Sequence, residues 1–413
     1  MIKRLYIDGY KSFKGFEVEL QPLSVIFGPN GSGKSNLIDA IHLLSDLCTS
    51  KNIVDAFKDH RGDTFESFYY GNGGFNENLK KEKMVFTFEV DIELSEASIN
   101  TVKELINSGS TINKRIEKYL RYNLKICATP ESGYIKVLSD ELLALKKNGE
   151  LKVDQNNLIS KVRDKDTYGS EENHNNHLES DYLPSSTRIG LAESGAIYPS
   201  AYAFRLEVEK WRTYRISPDA MRKDFPLRDI RYLSSDGSDI APFLNVLKDR
   251  NYNAYDNVVR VLKTILPHNP CIRIKRPKPA YLSIEIDEDG IGYSSRLTSD
   301  GTLRVLGLIA ALRSENNSTL IAIEEPENGV HPVRLSQISD IINNAVHYGK
   351  RQIIITTHST VFPKYFENEY LFVCRKDNSR TNIKPFVSLG EMYKNWEIRE
   401  NLDNLILRRS FGG

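Results

Sequence analysis

A chain of 413 residues with 40% hydrophobic and 27% charged side chains has enough apolar mass for two or three domains, which excludes wholesale disorder. Lysine plus arginine number 56 against 55 acidic residues, a net charge of +1, so a globally basic nucleic-acid binder is excluded and any such surface must be a local patch. Cys48, Cys127, Cys271 and Cys374 stand far apart with no C-x-x-C pair, suggesting neither a zinc site nor a disulfide framework. The first residues lack a signal-peptide core and no apolar run approaches bilayer length, so a soluble cytoplasmic protein without a membrane partner is expected.

Residues 2–20 alternate apolar and polar side chains on either side of Gly9-Tyr10-Lys11-Ser12-Phe13-Lys14-Gly15 and read as two strands joined by a bend. Residues 23–27 then read as a buried strand and residues 36–44 carry apolar side chains at helical spacing. Between them stands the complete G-x-x-x-x-G-K-S loop Gly28-Pro29-Asn30-Gly31-Ser32-Gly33-Lys34-Ser35. Its glycines let consecutive N–H groups curl toward phosphate oxygens, Lys34 adds positive charge, Ser35 offers a hydroxyl to Mg²⁺, and the following helix adds its N-terminal dipole. A glycine-rich turn with a chance lysine would need both motif and context to be accidental.

Residues 49–83 are mixed, with loop material at Tyr69-Tyr70-Gly71-Asn72-Gly73-Gly74, and residues 84–94 alternate as a strand that closes a first lobe, 1–94. Residues 95–121 turn helical, 122–128 and 133–138 are strand-like, and 161–186 form a polar loop almost devoid of aliphatic side chains. His174 and His177 in that loop lack a carboxylate or cysteine at matching helical spacing and read as solvated histidines. Strand-like alternation returns in 202–216, helices are expected in 242–266, and four prolines precede a strand at 281–287. Gly290-Ile291-Gly292 reads as a hairpin turn leading into a C-terminal lobe, 291–413, so 95–290 is an insertion between two lobes.

Residues 319–325 are an apolar strand ending in two carboxylates, where a P-loop enzyme places its Mg²⁺ and water-handling groups. Glu324 is assigned to the metal and Glu325 to the attacking water, a turn at Pro326 letting both reach one site although strand neighbours point to opposite sides. A second apolar strand, 352–357, ends at His358-Ser359, where an imidazole can sense a γ-phosphate. Ser299-Asp300-Gly301-Thr302 precede an apolar helix and make a second anion-binding geometry.

The runs Gly9-Tyr10-Lys11-Ser12-Phe13, Gly28 to Asn36 and Asp39-Ala40-Ile41 resemble the N-terminal part of SMC and RecF ATPases. Glu324-Glu325-Pro326-Glu327-Asn328-Gly329-Val330-His331-Pro332 and Thr356-Thr357-His358-Ser359 resemble the later motifs of RecF-like and OLD-like ABC ATPases of the AAA-21 group. The resemblance implies an α/β fold, an ABC-type P-loop head with a mixed sheet and flanking helices, interrupted by a helical and β insertion. It implies that Lys34 and Ser35 are Walker A, with Asn36 closing the ATP-binding run, and that Glu324 stands in place of the Walker B aspartate. Glu325 becomes the catalytic glutamate, residues 327–331 the D-loop region and His358 the switch histidine. Ser299 to Thr302 stand where such proteins carry the signature that completes a partner subunit's ATP site. Two departures are glutamate at 324 and the absence of a recognisable Q-loop glutamine; the long coiled coil of the family is also missing.

Two functions follow from this reading. In the first, ATP and Mg²⁺ drive a homodimer or higher oligomer of heads that acts on or senses DNA or RNA, in repair or anti-phage defence. The stretch after His358 is too short for the TOPRIM nuclease domain of OLD-like relatives, so the nuclease would be a separate effector protein. Arg212, Arg215, Arg222, Lys223, Arg228 and Arg231 with Trp211 and Tyr214, and the cluster Arg273, Lys275, Arg276 and Lys278, offer a phosphate-contacting surface, or a solvated charged face. In the second, ATP binding locks a protein-interaction regulator or scaffold that has no nucleic-acid contact.

Overall fold

A computed structural model describes residues 1–58, 60–107, 115–152, 187, 198–313 and 318–390. The polar stretch 161–186, with His174 and His177, lies outside the described residues. In chain order the strands begin with β1 (Ile2–Asp8), β2 (Phe16–Glu19), β3 (Leu23–Phe27), β4 (Met84–Glu93), β5 (Tyr119–Thr129) and β6 (Tyr134–Ala144). They continue with β7 (Trp211–Tyr214), β8 (Phe225–Pro226), β9 (Cys271–Lys275), β10 (Tyr281–Glu288) and β11 (Ile291–Ser294). The last four are β12 (Leu320–Glu324), β13 (Gln352–Thr357), β14 (Leu371–Asp377) and β15 (Arg380–Pro385). The α-helices are α1 (Lys34–Thr49), α2 (Ile53–Ala56), α3 (Gly74–Leu79), α4 (Glu96–Asn107) and α5 (Pro199–Val208), then α6 (Pro218–Met221), α7 (Ile240–Arg250), α8 (Tyr252–Ile265), α9 (Asp300–Arg313) and α10 (Leu335–His347).

These elements form two compact units interleaved along the chain, one within 1–20, 39–210 and 376–382, the other within 21–38, 211–375 and 383–413. Interleaving of this kind leaves no composition break to read, because each crossing falls inside ordinary globular sequence.

The first unit is built on an antiparallel sheet in the order β2-β1-β4-β5-β6. Period-two alternation sends Leu5, Val18 and Val90 into register with one another on a buried face. The other face carries an ion-pair ladder, with Arg4 joined to Glu17 at 2.7 Å and to Glu89, and Arg121 joined to Asp91 at 2.6 Å. Helix α5 packs its Phe204 ring 5.0 Å from that of Tyr122.

Two local expectations are corrected here. The strand expected in 202–216 is helix α5 through Val208, followed by the four-residue strand β7. Pro199 opens that helix at a position where its fixed φ suits and its missing N–H costs nothing, and Ala201, Phe204 and Val208 form one buried helical stripe. The apparent alternation came from Glu207, which is fully buried and accepts hydrogen bonds from the Ser95 and Ser98 hydroxyls at 2.6 and 2.8 Å. Likewise the helix expected through residue 121 gives way earlier, because β5 starts at Tyr119.

The second unit holds a sheet in the order β15-β14-β3-β13-β12-β7, in which β14, β3, β13, β12 and β7 run parallel. Strands β3, β12 and β13 are buried at every residue, as continuous apolar runs must be when both faces of a parallel sheet are covered. Helices α7, α8, α9 and α10 contribute Leu244, Val258, Leu306, Ile309 and Ile338 to one apolar cluster with that sheet. A smaller sheet has the order β11-β10-β8 with β9 also paired to β10; its hairpin turn is at Asp289 and Gly290, one residue earlier than expected, since Ile291 and Gly292 already pair in β11. Parallel strands place their carboxyl ends at one edge, and that edge is where the motif residues meet.

Candidate functional site

Strand β3 delivers the phosphate-binding loop directly from Phe27 to Gly28. A Cβ on Gly28 would stand 2.2 Å from the carbonyl oxygen of Cys374 on β14, so only glycine lets the chain leave the sheet there. Lys34 opens α1 and its ammonium donates to the carbonyls of Gly28 and Pro29, each at 2.8 Å, which folds the side chain back over the loop. The first N–H groups of a helix have no intrahelical acceptor, so α1 presents donors to the same space. Burial lowers the Lys34 pKa, while Cys374, Glu325 and Glu327 act in the opposite direction. Cys374 itself is pushed up to about 11 by burial and donates its thiol to the Ser32 carbonyl at 3.5 Å.

Glu324 ends β12 in register with Thr356 of β13. Its Oε2 lies 3.4 Å from the Ser35 hydroxyl and 3.8 Å from Nε of Arg215. Glu325 does not continue the strand. Its φ is +48°, in the left-handed region that non-glycine residues enter only at a cost of roughly 1–3 kcal/mol, and its N–H donates to the Thr356 carbonyl at 2.8 Å. The turn is completed by Asn328 N–H donating to the Glu325 carbonyl at 3.1 Å. This backbone reversal places both carboxylates at the strand end, as the Pro326 turn expectation required. Glu325 Oε1 then stands 3.0 Å from Nδ1 of His358, one residue beyond β13.

Glu327 is 7% exposed and accepts a hydrogen bond from the Thr357 hydroxyl, while its Oε2 has no hydrogen-bond partner among the described residues. Burial raises its pKa, with the Thr357 bond opposing. Ser299 caps α9: its hydroxyl accepts the Thr302 N–H at 3.2 Å and donates to the Thr302 hydroxyl at 3.0 Å. Asp300 pairs with Arg222, and a Cβ on Gly301 would lie 2.7 Å from the Gly329 carbonyl oxygen, so α9 begins tight against the turn after Glu327. Arg304, one turn on, donates to the Ile216 carbonyl at 2.9 Å, its Nε has no partner among the described residues, and burial lowers its pKa.

The geometry therefore brings Lys34, Ser35, Glu324, Glu325 and His358 to one sheet edge, and sets Ser299 to Thr302 on the neighbouring helix cap. A hydroxyl and a carboxylate 3.4 Å apart are the oxygen donors that Mg²⁺ takes together with water, and the lysine and loop N–H groups match a polyphosphate, so the residues present fit a nucleotide with Mg²⁺. Sequence reasoning placed Arg215 in the basic patch, quoted Thr357 only within the motif that ends at Ser359, and gave Arg304 and Cys374 no place at the site, because these residues reach it from separate elements. The proposed nucleic-acid patch is less open than its composition suggested. Trp211 and Tyr214 are 4% and 1% exposed, Arg273 pairs with Asp287 at 2.5 Å, and Lys275 lies 3.3 Å from Glu285.

Comparison with known proteins places these features in a family. Residues 23–362 match the family described as "AAA domain, putative AbiEii toxin, Type IV TA system". The chain is 22% identical over 422 residues to an "ATP/GTP phosphatase" of Helicobacter pylori, covering 97% of this chain and 100% of that protein. It is 22% identical over 426 residues to an "OLD nuclease" of Thermus scotoductus, covering 100% of this chain and 68% of that protein. Among solved structures, an SMC head bound to the C-terminal winged-helix domain of ScpA superposes with a TM-score of 0.52 at 13% identity, covering 93% of this chain and 97% of that one. At that identity the likeness shows the fold alone. With its family match running from the strand before the phosphate loop to beyond the terminal histidine, the chain belongs to the AAA_21 family and is an ABC-type ATPase of the RecF, SMC and OLD kind.

Proposed function

We propose that the second unit is a Mg²⁺-dependent ATP-hydrolysing head whose active form is a head-to-head dimer, each ATP lying between the phosphate loop of one copy and the Ser299–Thr302 cap of another. The observation that carries the reading is the convergence of Ser35 with Glu324 at 3.4 Å and of Glu325 with His358 at 3.0 Å. Lys34 and the loop N–H groups hold the β- and γ-phosphates; Ser35 and Glu324 supply oxygen donors to the ion. Mg²⁺, when bound, neutralises charge building on the phosphates. Glu325 orients the attacking water and accepts its proton, and His358 fixes that carboxylate while facing the γ-phosphate position. Ser299 is exposed at a helix N-terminus, with Leu297 beside it 78% exposed, which suits a surface that a second copy covers.

The output of the cycle is proposed to lie on a separate effector protein. Of the two outputs, a protein-directed one is favoured over direct nucleic-acid contact, because Trp211 and Tyr214 are buried and the Arg273 and Lys275 charges are paired. A role in repair or anti-phage defence is part of the same proposal.

The test is ATP turnover with and without duplex DNA at low salt, where phosphate contacts are strongest. Wild type is expected to hydrolyse ATP, Lys34→Ala to lose turnover, and Glu325→Gln to accumulate an ATP-bound dimer on sizing. A Glu325→Gln protein that stays monomeric with ATP overturns the dimer, and DNA-stimulated turnover with saturable binding overturns the preference for a protein output.

A further inference from the structure

Outside the phosphate-loop site, the first unit contains a second convergence of chemically active side chains. His42 and Asp46 stand four residues apart on α1, so both project from one helix face. His60, beyond α2, brings its Nε2 to 3.0 Å from Asp46 Oδ2, and His42 Nε2 stands 3.4 Å from that same oxygen. The two imidazole rings are 4.7 Å apart between centroids, and the ligand atoms of the three residues all lie within 4.8 Å of one another.

We propose that His42, Asp46 and His60 bind a divalent first-row transition ion, such as zinc, through Nε2, Oδ2 and Nε2. Four ligands at ~2.1 Å around a tetrahedral ion stand ~3.4 Å from one another, close to the separations seen here. Two nitrogens and one oxygen suit zinc, cobalt, nickel or iron(II) and disfavour Mg²⁺ and Ca²⁺, which take oxygen donors. The burial pattern also suits a metal. His60 is 2% exposed at its side chain whereas His42 and Asp46 are 33% and 30% exposed, so the cluster faces solvent on one side, from which an ion could enter and a water could serve as fourth ligand.

A plain hydrogen-bonded cluster is the competing account. It requires both imidazoles to carry their proton on Nε2 and donate to one carboxylate oxygen, which leaves Nδ1 of His60 a bare acceptor. That buried atom has no partner among the described residues, and coordination through Nε2 would leave it an equally unpartnered N–H, so the two accounts are separated by metal titration and not by Nδ1. An ion bound at the three ligand atoms instead ties the segment after α2 to the helix that begins at the phosphate loop. The site stands whether or not the ATPase cycle proceeds as proposed above.

The experiment is a titration of Co²⁺ into the full chain, stripped of metal and without nucleotide, followed by visible absorption and by thermal melting with Zn²⁺. A single equivalent with a tetrahedral-type band is expected, displaced by Zn²⁺, together with a melting temperature that rises on adding Zn²⁺. His60→Gln and Asp46→Asn should lose both band and shift, while Glu324→Gln keeps them. Should His60→Gln fail to fold, His42→Gln, on the more exposed side of the cluster, carries the same expectation. No saturable band in wild type, an undiminished band in the histidine variants, or a band that disappears with Glu324→Gln each overturns the site.

Discussion

Lys34 and Glu325 show how much of this chemistry depends on single side chains held against their own preference. Lys34 is buried and its charge is disfavoured there, yet the carbonyls of Gly28 and Pro29 keep the ammonium over the loop. Lys34→Ala is therefore expected to abolish ATP turnover while raising or preserving stability, since an unfavourably buried cation is removed; turnover and urea unfolding measured side by side check both halves. Glu327 gives a pH prediction. Its folded pKa is raised by burial, so the native state binds its proton more tightly than the unfolded chain does. That contribution to stability is full below the unfolded carboxylate pKa and is lost as pH rises through the raised folded value. Glu327→Gln should flatten this loss, being closest to wild type in acid and relatively more stable at neutral pH, as denaturant midpoints across pH 4–8 would show. The motif residues that meet at the sheet edge were legible in the sequence because phosphate loops and paired carboxylates are local patterns. The placement of Arg215 beside Glu324 and of Arg304 behind the α9 cap was not, because it follows from packing alone.

At the scale of elements, β3, β12 and β13 form the floor on which the site rests. Ile354 is fully exposed to neighbours and closed to solvent at the middle of β13, paired with Ala322 on one side and Ser24 on the other. Ile354→Ala is expected to cost ~2–5 kcal/mol by transfer and cavity terms, read as a lower urea midpoint with unchanged slope. The start of α9 is more brittle in a different way. Gly301→Val would drive side-chain atoms into the Gly329 carbonyl, displacing the helix cap that carries Ser299. The expected result is a loss of ATP-dependent dimer with a modest stability cost of ~1–3 kcal/mol, measured by sizing and by unfolding. These elements were legible as apolar runs bounded by turn residues. Helix α5 was misread because four residues of true strand, β7, follow a helix whose buried Glu207 imitates alternation.

At the scale of the molecule, two compact units share one chain, and the crossings between them fall near residues 20, 38, 210, 375 and 382. The first crossing pair frames β3 and the phosphate loop, so both count with the parallel sheet, although β1, β2 and most of α1 count with the other unit. If the head works as a dimer, inactive partners should complement one another. Mixing Lys34→Ala with Ser299→Arg restores one intact composite site per mixed dimer, so turnover well above that of either variant alone is expected in a steady-state assay. Equal inactivity of the mixture would place both halves of the site in one copy.

The sequence by itself determined the phosphate loop, the paired carboxylates, the terminal histidine and the ABC-type family, because each rests on residue types at fixed local spacing that phosphate and metal chemistry require. Only the tertiary structure decided that Glu325 turns out of its strand toward His358, that Trp211 and Tyr214 are core side chains, and that His60 meets His42 and Asp46. Those outcomes depend on where distant segments pack, and packing leaves no periodic mark along the chain.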